Sequence, residues 1–173
     1  MGGLPLGNIP NAFIQTRVED EKDMAFIKLR GVLVDILVAI APGVYESYVS
    51  KDKKGTKQLL VQCKNALYGT MVASLLYYRK FTKSLTDIGF IINPYDPCVA
   101  NKMIDGEQMT ILFHVDDCKL SHRKTKIMDR MIKHLRQEYE SIFEDGSGAM
   151  TVSRGKVHKY LGMTLDFTHR GRV

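Results

Sequence analysis

Hydrophobic positions along the first third of the chain predict alternating strands and helices. Residues 25–29 and 58–63 are short apolar runs bounded by polar residues, as is typical of strands. Residues 31–41 are apolar nearly all round, which predicts a buried helix that Pro42-Gly43 ends. Residues 44–50 are also strand-like, so we expect them to form a hairpin with residues 58–63.

Two longer segments have apolar positions at helical spacing. The first extends from Met71 to Leu85 and ends at Gly89, and the second covers residues 125–144 and ends at residues 145–148. The predicted apolar faces comprise Met71, Leu75, Tyr78, Phe81 or Thr82, and Leu85 in the first helix, and Met128, Met131, Ile132, Leu135, Tyr139, Ile142 and Phe143 in the second.

Hairpins are predicted in the second half of the chain. Asp105-Gly106 between two apolar runs is the strongest short-range hairpin signal, and a second hairpin joins residues 109–115 to residues 118–121. Residues 4–10 and two segments within 150–167 predict further strands, and residues 11–15 predict a short helix. This order predicts an α+β fold in which helices pack on one face of an antiparallel sheet.

Composition places the chain among globular proteins of ordinary domain size. It has 173 residues and a formal net charge of +6, which modestly favours a polyanionic partner. The three cysteines, Cys63, Cys98 and Cys118, lack CxxC spacing, so neither a zinc site nor a disulfide framework is indicated. Without a secretory pattern or a membrane-spanning run, we expect an intracellular protein, in the cytoplasm or nucleus, that is not secreted and has no membrane partner.

Asp116-Asp117 is the candidate for chemistry. Two adjacent carboxylates between strand-like runs need a cation or exposure to water, because like charges repel and are costly to bury. An exposed acidic turn is the plainer interpretation of the pair alone. The apolar flanks place the pair on a sheet core, which favours a cation site.

Several blocks of the sequence together resemble the reverse transcriptase of copia-type retrotransposons, in order and in spacing. The blocks are Asn65-Ala66-Leu67-Tyr68-Gly69, Leu76-Tyr77-Tyr78, Gly89-Phe90 with Pro94-Tyr95-Asp96-Pro97-Cys98, Phe113-His114-Val115-Asp116-Asp117 and Lys159-Tyr160-Leu161-Gly162-Met163. The resemblance covers nearly the whole chain from Asn8 onward. It implies one partial domain over residues 1–173 with a polymerase palm-like sheet, most of the fingers and the ribonuclease H domain being absent.

The resemblance implies an RNA-directed DNA polymerase that acts on an RNA or DNA template-primer and deoxynucleoside triphosphates. Such enzymes use two Mg²⁺ ions, for which Asp116 would be the principal ligand and Asp117 the supporting one. Alignment through Ala12-Phe13 puts Asn8 where the family has a third, metal-binding Asp. An amide brings no negative charge, so we expect transition-state stabilisation to fall by several kcal/mol, on the order of the loss of a key electrostatic group.

Other residues acquire roles only through the resemblance. Phe13 would be the steric gate under the nucleotide sugar, Tyr68 and Gly69 would lie against the incoming nucleotide, and Tyr160-Leu161-Gly162 would grip the primer end. A buried aromatic residue and a bent core strand are the plain alternatives. Met71-Val72 departs from the Lys-Gln of the commoner family form, which puts one polar contact in doubt.

Two alternatives stay open at this point. Glu19, Asp20 or Asp23 could replace the missing carboxylate, although all three follow the predicted short helix. Secondly, the chain could be a noncatalytic nucleic-acid-binding or interaction module derived from such a polymerase, or a decayed gene product with no function.

Overall fold

The computed structural model describes residues 5–140 and 147–168 of the chain. Within them the elements follow in the order β1 (Leu6–Asn8), β2 (Ala25–Arg30), α1 (Val32–Ile40), α2 (Pro42–Tyr45), β3 (Ser50–Lys51), β4 (Lys57–Cys63), α3 (Met71–Asp87), β5 (Ile91–Ile92), β6 (Val99–Ile104), β7 (Glu107–His114), β8 (Asp117–Ser121), α4 (Thr125–Tyr139), β9 (Thr151–Ser153), β10 (Val157–Tyr160) and β11 (Met163–Asp166). Short 3-10 turns occupy Glu21–Asp23 and Glu46–Tyr48.

The main sheet of the described residues is antiparallel and has the strand order β5-β6-β7-β8-β1-β9. One face of β6, β7 and β8 is buried, because alternate residues of paired strands point to the same side. The side chains on this face are Ala100, Met109, Ile111, Phe113, Cys118 and Leu120.

Helices α3 and α4 cover that face. Phe81 of α3 is fully buried, and its ring lies 4.9 Å from Phe113 of the sheet and 5.6 Å from Tyr139 of α4, between ring centroids. The Tyr139 hydroxyl also hydrogen-bonds Ser84 of α3 at 2.8 Å. Strands and both helices therefore share one apolar core, and the predicted α+β class with helices on one sheet face is confirmed.

A smaller sheet, ordered β2-β4-β3, carries α1 on one side. Val34 is the only residue of α1 that is fully buried, and Asp35 of α1 forms an ion pair with Lys57 of β4. The prediction that this helix is buried is therefore wrong, although its bounds are close to the predicted ones. A helix lying on the surface of a three-stranded sheet can bury only one stripe of side chains.

Two other predictions are wrong for local reasons. Residues 44–50 form α2, a 3-10 turn and only the start of β3, because Pro42 is well suited to the first turn of a helix. Residues 11–15 form turns rather than a helix. Asn11 has a φ of 53°, outside the right-handed helical region.

Both predicted amphipathic helices form, and the buried face of the first differs in part from the prediction. In α3, Met71 and Leu75 are exposed, whereas Ala73 and Tyr77 join Phe81 and Leu85 in the core. In α4 the predicted face from Met128 to Tyr139 is buried as expected. The helix ends at Tyr139, because Glu140 is extended, and the predicted positions Ile142 and Phe143 lie outside the described residues.

Candidate functional site

Asp116 and Asp117 lie at the tip of the β7–β8 hairpin. His114 pairs with Asp117, so Val115 and Asp116 are the two central residues of the turn. Val115 has a φ of 51°, which is strained for a β-branched residue. One carboxylate thus lies in a short, strained turn between β7 and β8, and the other lies on the first residue of β8.

Asn8 faces these carboxylates from the adjacent strand. Antiparallel pairing sets Asn8 opposite Asp117 and Gly7 opposite Cys118, and the amide of Ile9 donates to the Asp116 carbonyl at 2.7 Å. The Asn8 side-chain nitrogen then donates to Asp116 Oδ2 at 3.1 Å and to Asp117 Oδ1 at 3.2 Å. The structure therefore brings together the three positions that the sequence assigned to one metal site.

The side-chain amide of Asn8 bridges the two carboxylates. Its two N–H groups satisfy one oxygen of each carboxylate, so the pair is bridged by a neutral group. No cluster of three His, Cys, Asp or Glu side chains suited to a metal occurs in residues 5–140 and 147–168. Two carboxylates bridged by an amide nitrogen do not fit two Mg²⁺ ions, which need more oxygen ligands and more negative charge.

The alternative third carboxylates lie elsewhere. Glu19, Asp20 and Asp23 line a cavity of about 490 Å³ against α3, whose wall also includes Arg79 and Lys80. Asp20 is paired with Lys22 at 2.7 Å, and this contact lowers the pKa of its carboxyl group. None of the three lines up with β1 and β8, so they do not complete the site.

Phe13 and Tyr68, both assigned to the nucleotide, lie next to each other. Their ring centroids are 4.6 Å apart. The contact forms because the segment after β4 bonds the turn that carries Phe13: Asn65 Nδ2 donates to the Ile14 carbonyl at 2.6 Å and the Ala66 amide to the Thr16 carbonyl at 2.7 Å.

Gly69 follows this aromatic pair with a φ of 86° and has open space around it. A side chain there would be strained by the backbone rather than by neighbours. The backbone beside Tyr68 is therefore accessible to a ligand, and Met71, whose side chain is 96% exposed, stands at the adjoining start of α3.

Tyr77 is a residue of this region to which the sequence assigned no role. Its ring packs edge-on against Phe13 at 6.1 Å and stacks on Phe81 at 5.8 Å. Its hydroxyl is buried without a hydrogen-bond partner among the described residues. Burial, with the nearby Cys118, Tyr139 and Asp116, raises the pKa of Tyr77 far above its usual value. Its place in the Leu76-Tyr77-Tyr78 block was the one available signal.

The three predicted primer-grip residues end strand β10 and form its turn to β11. Tyr160 is buried, and burial together with the nearby Cys118 and Asp117 raises the pKa of Tyr160 to about 12. Leu161 and Gly162 have φ values of 49° and 76° and are exposed. The structure thus brings Tyr160 into the electrostatic surroundings of the carboxylate hairpin, while Leu161 and Gly162 form the tip.

Cations that could contact phosphates are partly engaged within the chain. Lys57 pairs with Asp35, Arg123 with Glu107 at 3.4 Å and Lys124 with Asp105 at 3.3 Å. All three pairs are at least partly exposed, so solvent screens them and each contributes little to stability. In the described part of the chain, α1 to α4 include no helix with the length and hydrophobicity needed to cross a bilayer.

In comparisons with known proteins, no protein-family model matches the chain and no curated protein matches it.

Proposed function

We propose that this chain is by descent the reverse-transcriptase domain, an RNA-directed DNA polymerase, of a copia-type retrotransposon. In this chain Asn8 replaces a metal-binding Asp and so impairs the metal site. The observation that carries the proposal is the position of Asn8. Alignment by resemblance put this residue with Asp116 and Asp117, which are 108 and 109 positions away in sequence, and its amide nitrogen is within 3.2 Å of both carboxylates.

The surroundings of the carboxylates support a site for a nucleotide and a primer end. Phe13 and Tyr68 form an aromatic pair beside the open backbone of Gly69, a surface against which a sugar and base could pack. Tyr160 lies on the hairpin assigned to the primer. Binding and orientation of a template-primer and a deoxynucleoside triphosphate are the tasks for which these residues are suited.

Mg²⁺ would supply electrostatic stabilisation of an in-line phosphoryl transfer in an intact enzyme of this class. Asn8, Asp116 and Asp117 do not provide the oxygen ligands and negative charge that two Mg²⁺ ions need. We expect transfer to be slower by at least about 10²- to 10³-fold, which is the cost of removing one preorganised electrostatic group.

Primer extension on an RNA template with Mg²⁺ tests the proposal. The set of proteins is the unmodified chain, Asp116→Ala, Asn8→Asp, and Asn8→Asp combined with Asp116→Ala. We expect little or no extension by the unmodified chain, a gain of about 10²-fold or more in Asn8→Asp, and loss of that gain in the double variant.

The other outcomes distinguish the alternatives. Extension by the unmodified chain that disappears in Asp116→Ala would show that Asn8 does not impair the site. A second function is noncatalytic binding of nucleic acid: the Asn8 amide satisfies both carboxylates without a cation, and the formal net charge of +6 suits a polyanionic partner. Salt-dependent binding of a template-primer by Asn8→Asp without extension would support that second function.

A further inference from the structure

Helix α1 has the composition of a buried helix but leaves one face uncovered. Val34 is fully buried against the small sheet. On the other side, four large apolar side chains are exposed over roughly half or more of their surface: Val32 at 68%, Leu33 at 52%, Ile36 at 48% and Ile40 at 74%. At 3.6 residues per turn these four fall within an arc of about 100° opposite Val34, and we call them the α1 stripe.

The uncovered surface continues beyond α1. Helix α2 contacts α1 and exposes Val44 at 57%, and Tyr48 in the following 3-10 turn is exposed at 72%. With the α1 stripe these make six large apolar side chains that are each exposed over roughly half or more of their surface, and large exposed apolar patches mark interaction sites on soluble proteins. One partner in a standard protein interface contributes about 800 Å².

The charge pattern selects a partner. Asp35 is the only charged residue of α1, it lies at the edge of the stripe, and Lys57 of the same chain neutralises it. An interfacial membrane helix usually carries Lys or Arg on its polar face, which α1 lacks. An uncharged apolar stripe is instead complementary to a copy of itself, because a two-fold axis brings no like charges together.

We propose that the α1 stripe is the centre of a homodimer interface in which α1 of one chain packs on α1 of a second copy. Ile36 lies at the middle of the helix and of the arc, so it is the residue closest to the two-fold axis. In such a dimer, α1 of the second copy covers the face of α1 that is exposed in a single chain. This assembly is independent of the proposed polymerase chemistry.

Sedimentation equilibrium across a concentration series tests the interface. The unmodified chain should be a dimer, and Ile36→Lys should raise the dissociation constant of the dimer by about tenfold or more, as expected at the centre of an interface. Tyr95→Lys is the matched control, because Tyr95 is 96% exposed in the turn before β6 and should leave the dimer unchanged. Circular dichroism should show the same fold for all three proteins.

A second variant keeps the test decisive if Ile36→Lys fails to fold. Ile36→Cys should form an intermolecular disulfide under mild oxidation at a rate well above that of the unmodified chain and of Tyr95→Cys. A monomeric unmodified chain overturns the proposal. Polydisperse aggregation, equal cross-linking of both cysteine variants, or a monomer that binds neutral lipid vesicles through the α1 stripe would also overturn it.

Discussion

Asn8 resolves a local electrostatic problem in a way that an aspartate could not. Two neighbouring carboxylates repel each other, and a third would increase the repulsion unless a cation entered. The amide nitrogen donates to both, so a neutral side chain stabilises the pair. The hairpin should therefore keep its geometry without any metal.

At this scale we predict that Asn8→Asp makes the fold dependent on Mg²⁺. In the presence of a chelator the variant should lose about 2–3 kcal/mol of unfolding free energy, because the amide donors are replaced by a third negative charge. Saturating Mg²⁺ should restore a similar amount, about 2.7 kcal/mol at one hundred times the dissociation constant. Urea unfolding with and without Mg²⁺ measures both effects.

Asn65→Asp is the control, because the Asn65 side-chain amide also donates a hydrogen bond, but to the backbone carbonyl of Ile14 rather than to a carboxylate. Its stability, and that of the unmodified chain, should not change with Mg²⁺. An Asn8→Asp protein that is insensitive to Mg²⁺ would contradict a shared cation position.

The resemblance linked distant positions that the structure brings close together. Spacing alone could not relate Asn8 to Asp116, since the contact depends on strand pairing across more than one hundred residues. Tyr77 was missed because helical periodicity favoured Tyr78, whereas stacking on Phe81 places Tyr77 in the core.

At the scale of elements, the hairpin turns differ in how well their residues suit them. Asp105-Gly106 has positive φ at both residues, the turn that this dipeptide favours, and it confirms the predicted hairpin. Leu161-Gly162 has the same signs of φ with a leucine at the first position. Leu161 therefore carries a conformational cost of roughly 1 kcal/mol or more.

We predict that Leu161→Asn stabilises the protein by about 1 kcal/mol, since Asn-Gly is the preferred sequence for this turn and the leucine side chain is 45% exposed. Urea unfolding gives the difference. Met163→Asn is the matched control: Met163 is 56% exposed beside the same turn but has no positive φ, so it should be neutral or destabilising. Equal effects of the two substitutions would show that the turn is not strained.

Elements with a strong local signal were predictable, and elements decided by context were not. The strand from Ala25 and the helix from Val32 follow from their hydrophobic patterns. Residues 44–50 have β-branched and aromatic residues that favour a strand, but Pro42 starts a helical turn first. Periodicity also placed the exposed Met71 and Leu75 on the buried face of α3, because these side chains are as apolar as those at the buried positions.

At the scale of the whole molecule, the two sheets differ in how much apolar surface they bury. The main sheet shares one continuous core with α3 and α4. In the small sheet with α1, Val34 and Leu59 are the fully buried positions among the described residues. The α+β class was predictable from the order of elements, but this unequal division was not, because composition does not report which apolar residues find a partner.

We predict that the small sheet opens at a lower free energy than the main sheet. Amide hydrogens of β4 should exchange at least about tenfold faster than those of β7 in native-state hydrogen exchange. Phe81→Leu should lower the protection of β7 by about 1–2 kcal/mol, because Phe81 connects the main sheet to both helices, and should leave the faster exchange of β4 unchanged. Equal protection of β4 and β7 would indicate one cooperative unit.

The position of β1 has a consequence for the order in which the molecule is made. This strand precedes the other described elements along the chain, and both of its neighbours in the sheet, β8 and β9, are encoded more than one hundred residues later. At a synthesis rate of ~5–20 residues per second, the hairpin that Asn8 contacts is synthesised roughly 5–20 s after Asn8. The pairing of β1 with β8 can therefore form only after the hairpin has been synthesised, and until then the Asn8 amide has neither carboxylate to contact.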